Sequence, residues 1–249
     1  MMTTRKYFGK GLPYVDLSDL SGHLIVVEGA DGVGRSTQMR LLREWLEVQG
    51  FGVVDTGWTR SRLLAKTIDL AKAGTNLNLL TFNLLYATDF ADRLEHEIIP
   101  ALRSGFIVLA DRYIYTAFAR AIVRGADPAF IRELYGFAVR PDLVLYLRVD
   151  VHTLINRVLL NDNLDYWEAG MDHSPGLDPY DSFIRYQGQL IAEFDKLAEE
   201  FDFNVVDAAR KVESIQLDLR RHIAQALRLP ESSINEVSLS AREALMTQR

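Results

Sequence analysis

Cysteine is absent from the 249 residues. Disulfides, thiolate metal sites and cysteine nucleophiles are therefore excluded. The absence fits a reducing compartment, so a cytoplasmic location is expected. A basic excess is lacking too: 28 Lys and Arg face 34 Asp and Glu, for a net charge of −6. That argues against a general nucleic-acid binder. No apolar run approaches membrane-spanning length, so no membrane partner is expected. His23, His96, His152, His173 and His222 show no metal-ligand spacing and read as surface or helix residues. The first fifteen residues have no acid and no apolar signal core, only Arg5, Lys6 and Lys10. Residues 1–21 read as an N-terminal arm.

What is present suffices for a core: 48% of residues are hydrophobic and 25% charged. The length suits one α/β domain with appended ends. Its most informative stretch is Gly29-Ala-Asp-Gly-Val-Gly-Arg-Ser-Thr37, between the apolar run Leu24–Val27 and a helical pattern. Strand, glycine-rich loop and helix are the context of a phosphate-binding P-loop. Gly29, Gly32 and Gly34 permit dihedrals closed to other residues, so the amides around Asp31 and Val33 can point inward as an anion nest. The start of the helix adds its positive end. Ser36 or Thr37 is placed to offer a hydroxyl to Mg²⁺, and Ser36 fills the motif's own slot. Arg35 stands where the motif has lysine. It keeps the charge but replaces a compact ammonium with a planar fork.

Strand and helix patterns alternate, which predicts a P-loop NTPase-type three-layer αβα fold around a five-stranded parallel sheet. Strands are expected at 24–27, near 53–54, at 106–110, 142–148 and 204–206. Helices are expected at 36–48, from Leu84 through Leu102 with Pro100 bending the last turn, at 151–160, from Phe183 to Phe201, and at 211–227. In the long helix the inward stripe reads Leu84, Thr88, Ala91, Leu94, Ile98, Leu102. Residues 161–181 lack apolar period and read as a lid-like mobile loop. Domain bounds of 22–227 follow, with a tail at 228–249 and a loose helix at 233–247. Trp58 and Trp167 fall in loops, where lining a pocket and packing are equally open readings.

Asp111 ends an apolar strand, the position from which a carboxylate holds Mg²⁺ through water. Arg112 follows at the sheet edge where such folds bind ligands. Phosphoryl transfer needs in-line positioning and neutralised charge, and Arg35, Arg112 and Arg157 are the candidate cations.

With these motifs in order, the sequence resembles the thymidylate kinases, over roughly residues 22–225. The anchors are Val27-Glu-Gly-Ala-Asp-Gly-Val-Gly34, Ile99-Pro-Ala-Leu102 followed by Asp111-Arg-Tyr113, Pro141-Asp-Leu143, and Val206-Asp-Ala208. The resemblance implies an ATP- and Mg²⁺-dependent transfer to a nucleoside monophosphate, thymidylate by default, in a homodimer. It implies that Asp31 contacts the acceptor's sugar hydroxyl. Arg112 would bridge donor and acceptor phosphates, and Arg157 would hold the donor beside the lid. Tyr86 would stack on the base, and Tyr113 belongs to the same acceptor-side motif.

The sequence departs from the family at several points. Thr56-Gly-Trp-Thr-Arg60 replaces a Thr-Arg-Glu-Pro-Gly segment, with Arg62 nearby. Phe90 occupies the place of an arginine that holds the acceptor phosphate, and Arg93, on the same helix side, is the candidate substitute. Arg120 and Ala121 replace a base-reading pair, and Tyr166 replaces a lid arginine. Two other readings stay open: a catalytically impaired nucleotide-binding protein, and a kinase for a different small acceptor.

Overall fold

The structure is a computed structural model and describes residues 6–73, 78–160, 165–174 and 176–235. Five short apolar segments become strands: β1 (His23–Gly29), β2 (Val53–Gly57), β3 (Ile107–Asp111), β4 (Leu143–Arg148) and β5 (Asn204–Asp207). All pair in parallel, in the order β2-β3-β1-β4-β5. The two-residue side-chain period splits β1 between two cores. Leu24 and Val26 enter one cluster, while Ile25 and Val27 enter the other. Helices on both faces bury both clusters, as the sequence predicts. Among the described residues no helix is long and apolar enough to cross a membrane.

One face carries α1 (Arg35–Val48), whose inward side is Met39, Leu42, Trp45 and Leu46, as its periodicity predicts. The other face carries α3 (Leu79–Arg93) and its continuation. Here the expected stripe is partly wrong. Leu84 is 45% exposed and Thr88 faces solvent, whereas Ala87, Phe90 and Leu94 are buried. No residue from Asn83 to Thr88 is charged, and Leu84, Leu85 and Tyr86 are consecutive, so apolarity alone does not fix the rotation. The helix also starts five residues earlier than expected. It widens to a π-turn at Leu94–Ile98 before α4 (Ile99–Arg103). Pro100 lacks an N–H for the ordinary ladder, and the turn before it relaxes accordingly.

Three helices escaped the sequence pattern: α2 (Ala65–Ala73), α5 (Ile114–Val123) and α6 (Pro128–Leu134). Phe106 lies outside β3 and is 41% exposed, capping Gly52, where an added Cβ would fall 2.0 Å from its ring. After α7 (Val151–Leu160), α8 (Pro179–Glu200) starts at Pro179, inside the expected loop. Asp178 caps it by accepting from the amides of Tyr180 and Asp181 at 2.9 and 3.2 Å.

Residues 6–20 lie against the domain. Phe8 donates its amide to Ala138 at 2.9 Å and sets its ring against Tyr115 and Phe201. At the other end, α9 (Val212–Leu227) stops at Arg228 in the left-handed region, and a 3₁₀ turn, Glu231–Asn235, folds back. There the Ser233 carbonyl accepts from Trp45 Nε1 at 2.9 Å. Most of the helix expected at 233–247 lies outside the described residues.

Candidate active site

The chain leaves β1 for β2 on one side and β3 for β4 on the other. The crevice between the ends of β1 and β3 is thus the switch point where open α/β sheets bind ligands. The glycine-rich loop and Asp111 meet there. Gly32 and Gly34 sit at φ 79° and 94°, the left-handed region. Among the described residues, the amides of Gly32, Val33, Gly34 and Arg35 donate no backbone hydrogen bond. Unpaired amides converging at a helix start suit a polyphosphate. Ser36 and Thr37 are exposed beside them.

Arg35 folds back instead of reaching across the loop. Its Nη1 donates to the carbonyls of Gly29 (2.8 Å) and Ala30 (3.2 Å), and its Nε pairs with Asp111. The planar fork thus ties the loop base to the end of β3 from two separate nitrogens, where a lysine has one. Asp111 keeps about a fifth of its side-chain surface exposed and lines the cleft together with Arg35.

Arg112 has φ 69°, an uncommon conformation for a residue other than glycine. Two bonds hold it: its amide donates to Val27 at 3.0 Å, and the next amide, Tyr113, donates to Glu28 at 2.8 Å. The twist aims the guanidinium at Asp31, which is 2% exposed and also accepts from Arg120 Nη2 at 2.5 Å and Gln187 Nε2 at 3.3 Å. Burial, then the Arg120 cation, pushes the Arg112 guanidinium down to about 9. It stays charged at neutral pH.

Sequence reasoning missed Glu28. Its carboxyl is fully buried at the end of β1 and accepts from Tyr113 N, Thr116 N (3.3 Å) and Thr116 Oγ1 (2.6 Å). It caps α5 from another strand, where the helix's own first residue supplies no side-chain cap. Burial pushes it up to about 7, against the hydrogen bonds and the Arg35 and Arg112 cations. The available signal was a charge closing an otherwise apolar strand, Leu24-Ile-Val-Val-Glu28.

From the loop the cleft runs between α3 and α5. Among the described residues six cations line it (Arg35, Arg60, Lys72, Arg112, Arg120, Arg124) against one carboxylate, Asp111. Its wall includes an aromatic group in which Tyr86 meets Phe82 at 4.6 Å and Trp58 at 5.6 Å between ring centroids. Trp58 therefore both lines the pocket and packs, its Nε1 donating to Tyr113 at 3.0 Å.

Phe90, Arg93 and Tyr113 lie behind this wall and not on it. Phe90 is 0% exposed and packs against Trp58 and Tyr113. Arg93 is buried on Asp89 (3.0 Å) and Thr56 (3.0 Å). Asp89 in turn accepts from the amides of Thr59 and Ser61, so this pair fixes the 57–61 loop. Tyr113's hydroxyl donates to Val139 at 2.8 Å. A charged residue one turn from Phe90 looks identical in sequence whether it faces ligand or loop.

Arg157 donates to the Val33 carbonyl (3.4 Å) and the Ala209 carbonyl (3.3 Å), bridging the phosphate loop and the turn after β5. Opposite, the lid turn of residues 165–174 is tied down. Asp172 takes a bidentate pair from Arg124 at 2.8 and 3.0 Å, and Gln187 donates to Glu168 at 2.7 Å.

The family model for thymidylate kinase matches residues 27–219. Similar proteins include a probable thymidylate kinase 2 of Saccharolobus solfataricus, 37% identical over 208 residues, covering 83% of this chain and 97% of that one. A probable thymidylate kinase of Pyrococcus horikoshii is 31% identical, over 80% and 95% of the two chains. One of Methanocaldococcus jannaschii is 31% identical, over 75% and 87%. With the all-parallel sheet and the loop at its switch point, the chain belongs to the thymidylate kinase family of nucleotide-binding phosphotransferases.

Proposed function

We propose that this chain transfers the terminal phosphoryl group of ATP, with Mg²⁺, to a nucleoside monophosphate, thymidylate being the default acceptor. The observation that carries the reading is the cleft: among the described residues six cations and an aromatic wall meet the phosphate loop at Arg35, where the amides of residues 32–35 donate no backbone hydrogen bond. A polyanion with a flat base matches both ends. Relatives named probable thymidylate kinase, similar over most of their length, support the acceptor class.

The residues present fit ATP with magnesium. Amides of residues 32–35 would cradle the polyphosphate, and Arg157 would hold the donor from the lid side. Ser36 and Asp111 would hold the ion, which supplies charge neutralisation at the phosphates when bound. Arg35 steadies the loop base and Asp111 together. Arg112 stands between loop and cleft and would neutralise the group in transfer, with Asp31 fixing its fork. Asp31 would reach the acceptor's sugar only by sharing its contacts with Arg112 and Arg120. Tyr86 would face the base. Phe90 and Arg93 would act by shaping the wall and the 57–61 loop. Arg60, exposed in the cleft, is the better-placed cation for the acceptor phosphate. The closed lid turn would keep water from competing as acceptor. We place the protein in the cytoplasm, which its lack of cysteine suits, and as a homodimer, as its family resemblance implies.

A second reading has its own support. Arg35 is committed to Asp111 and two carbonyls, so the chain would bind nucleotide without turning it over. ADP release over a panel of monophosphates separates the two. Release that rises with an added monophosphate supports the kinase. Saturable ATP binding with flat ADP production supports the binding protein.

A further inference from the structure

In the cleft most polar groups are already engaged: Arg112 and Arg120 with Asp31, Arg124 with Asp172. Asn83, like the buried Tyr135 hydroxyl, is not. It is 7% exposed, lines the cavity, and makes no side-chain hydrogen bond to any described residue. An amide in a cleft with no protein partner is free to pair with a ligand, and an unmatched ligand group there would go unpaired. It lies on α3 one turn before Tyr86, on the same helix side, next to Phe82. Those two rings touch each other, their centroids 4.6 Å apart, and line the same cleft as Asn83.

A carboxamide presents one donor and one acceptor side by side. That array matches the edge of a nucleobase, on which a donor and an acceptor also adjoin. An aromatic wall beside it holds a flat ring without choosing among rings, whereas paired hydrogen bonds do choose. We propose that Asn83 determines base specificity, its amide pairing with the hydrogen-bonding edge of the acceptor base. The inference rests on the kinase reading for the presence of a nucleotide acceptor. For thymine the edge is N3–H and O4, so the amide oxygen would accept from N3 and the amide nitrogen donate to O4.

The test is a cycle on the full chain, combining Asn83→Ala with thymidylate and its N3-methyl derivative, which lacks the donor. KM and kcat are read by ADP release, and affinity by calorimetry. In the native chain, N3-methylation is expected to raise acceptor KM and Kd on the order of 10- to 100-fold with little change in ATP KM. In Asn83→Ala, both acceptors are expected to bind equally and as weakly as the methylated one to native chain. Equal discrimination by native and variant chains overturns the inference. If no acceptor raises ADP release, the kinase reading falls, while the calorimetric cycle still tests whether Asn83 reads the base. If Asn83→Ala fails to fold, Asn83→Asp takes its place. Keeping the size but losing the donor, it is expected to bind thymidylate at least tenfold more weakly; undiminished affinity overturns the inference.

Discussion

A lysine at position 35 would gather its three donors on one nitrogen, whereas the arginine present spreads its donors over Asp111 and two loop carbonyls. Removing it leaves a largely buried carboxylate facing carbonyl oxygens. Arg35→Ala is therefore expected to lower ATP affinity roughly a hundredfold and to destabilise the fold by about 3 kcal/mol. Arg35→Lys, which keeps the charge, should stay within about tenfold of native affinity. Nucleotide calorimetry and thermal melts check both; native-like binding by Arg35→Ala would remove the role given to the guanidinium. Glu28 carries a pH signature. Its pKa is raised from 4.5 to about 7 in the fold, so the folded state holds a proton that the unfolded chain releases. Its contribution to stability is full below the unfolded value and is lost as pH rises through the folded one. The integrated effect is on the order of 3 kcal/mol. Urea unfolding of Glu28→Gln should show a flatter decline between these pH values than the native chain. Parallel slopes would contradict the assignment.

At the scale of elements, the lid turn depends on few contacts. Asp172→Asn removes a charged, bidentate partner of Arg124 and costs roughly 1.5–3 kcal/mol of local stability. Hydrogen exchange across 165–174 should accelerate, with acceptor KM rising several-fold; unchanged protection would mean that Gln187 and Ser182 hold the turn alone. Elements also mark how far the sequence could be read. The strands and α1 were legible because apolar runs and a 3.6-residue stripe have no competing explanation there. The same pattern failed on α3, where a buried ion pair, Asp89–Arg93, occupies inward positions and Leu84 an outward one. Charge on the inner face and leucine on the outer face invert the cue. The phosphate loop was legible because its glycines and their order have one physical use. The cleft wall was not: Asn83 comes from α3, Arg120 and Arg124 from α5 and the residue that ends it, and α5 itself went unassigned in sequence.

For the molecule as a whole, residues 6–20 are part of the packed body. Phe8 fills a niche between Tyr115 and Phe201, and Leu12, Val15 and Leu20 cover the same cluster. Deleting residues 1–20 should cost several kcal/mol, at about 1.5–3 kcal/mol for each apolar side chain removed. The melting temperature should then fall by about 10 °C or more. A truncated chain melting with the native one would show that the arm adds nothing. The two faces of the sheet converge on one crevice, and everything claimed for the chain turns on what happens there. Phosphorus NMR of the full chain with ATP, magnesium and thymidylate tests it most directly. The account predicts that ADP and a new nucleoside diphosphate appear in equal amounts and only when thymidylate is present. Unchanged ATP and thymidylate signals after prolonged incubation, with nucleotide demonstrably bound, would contradict it.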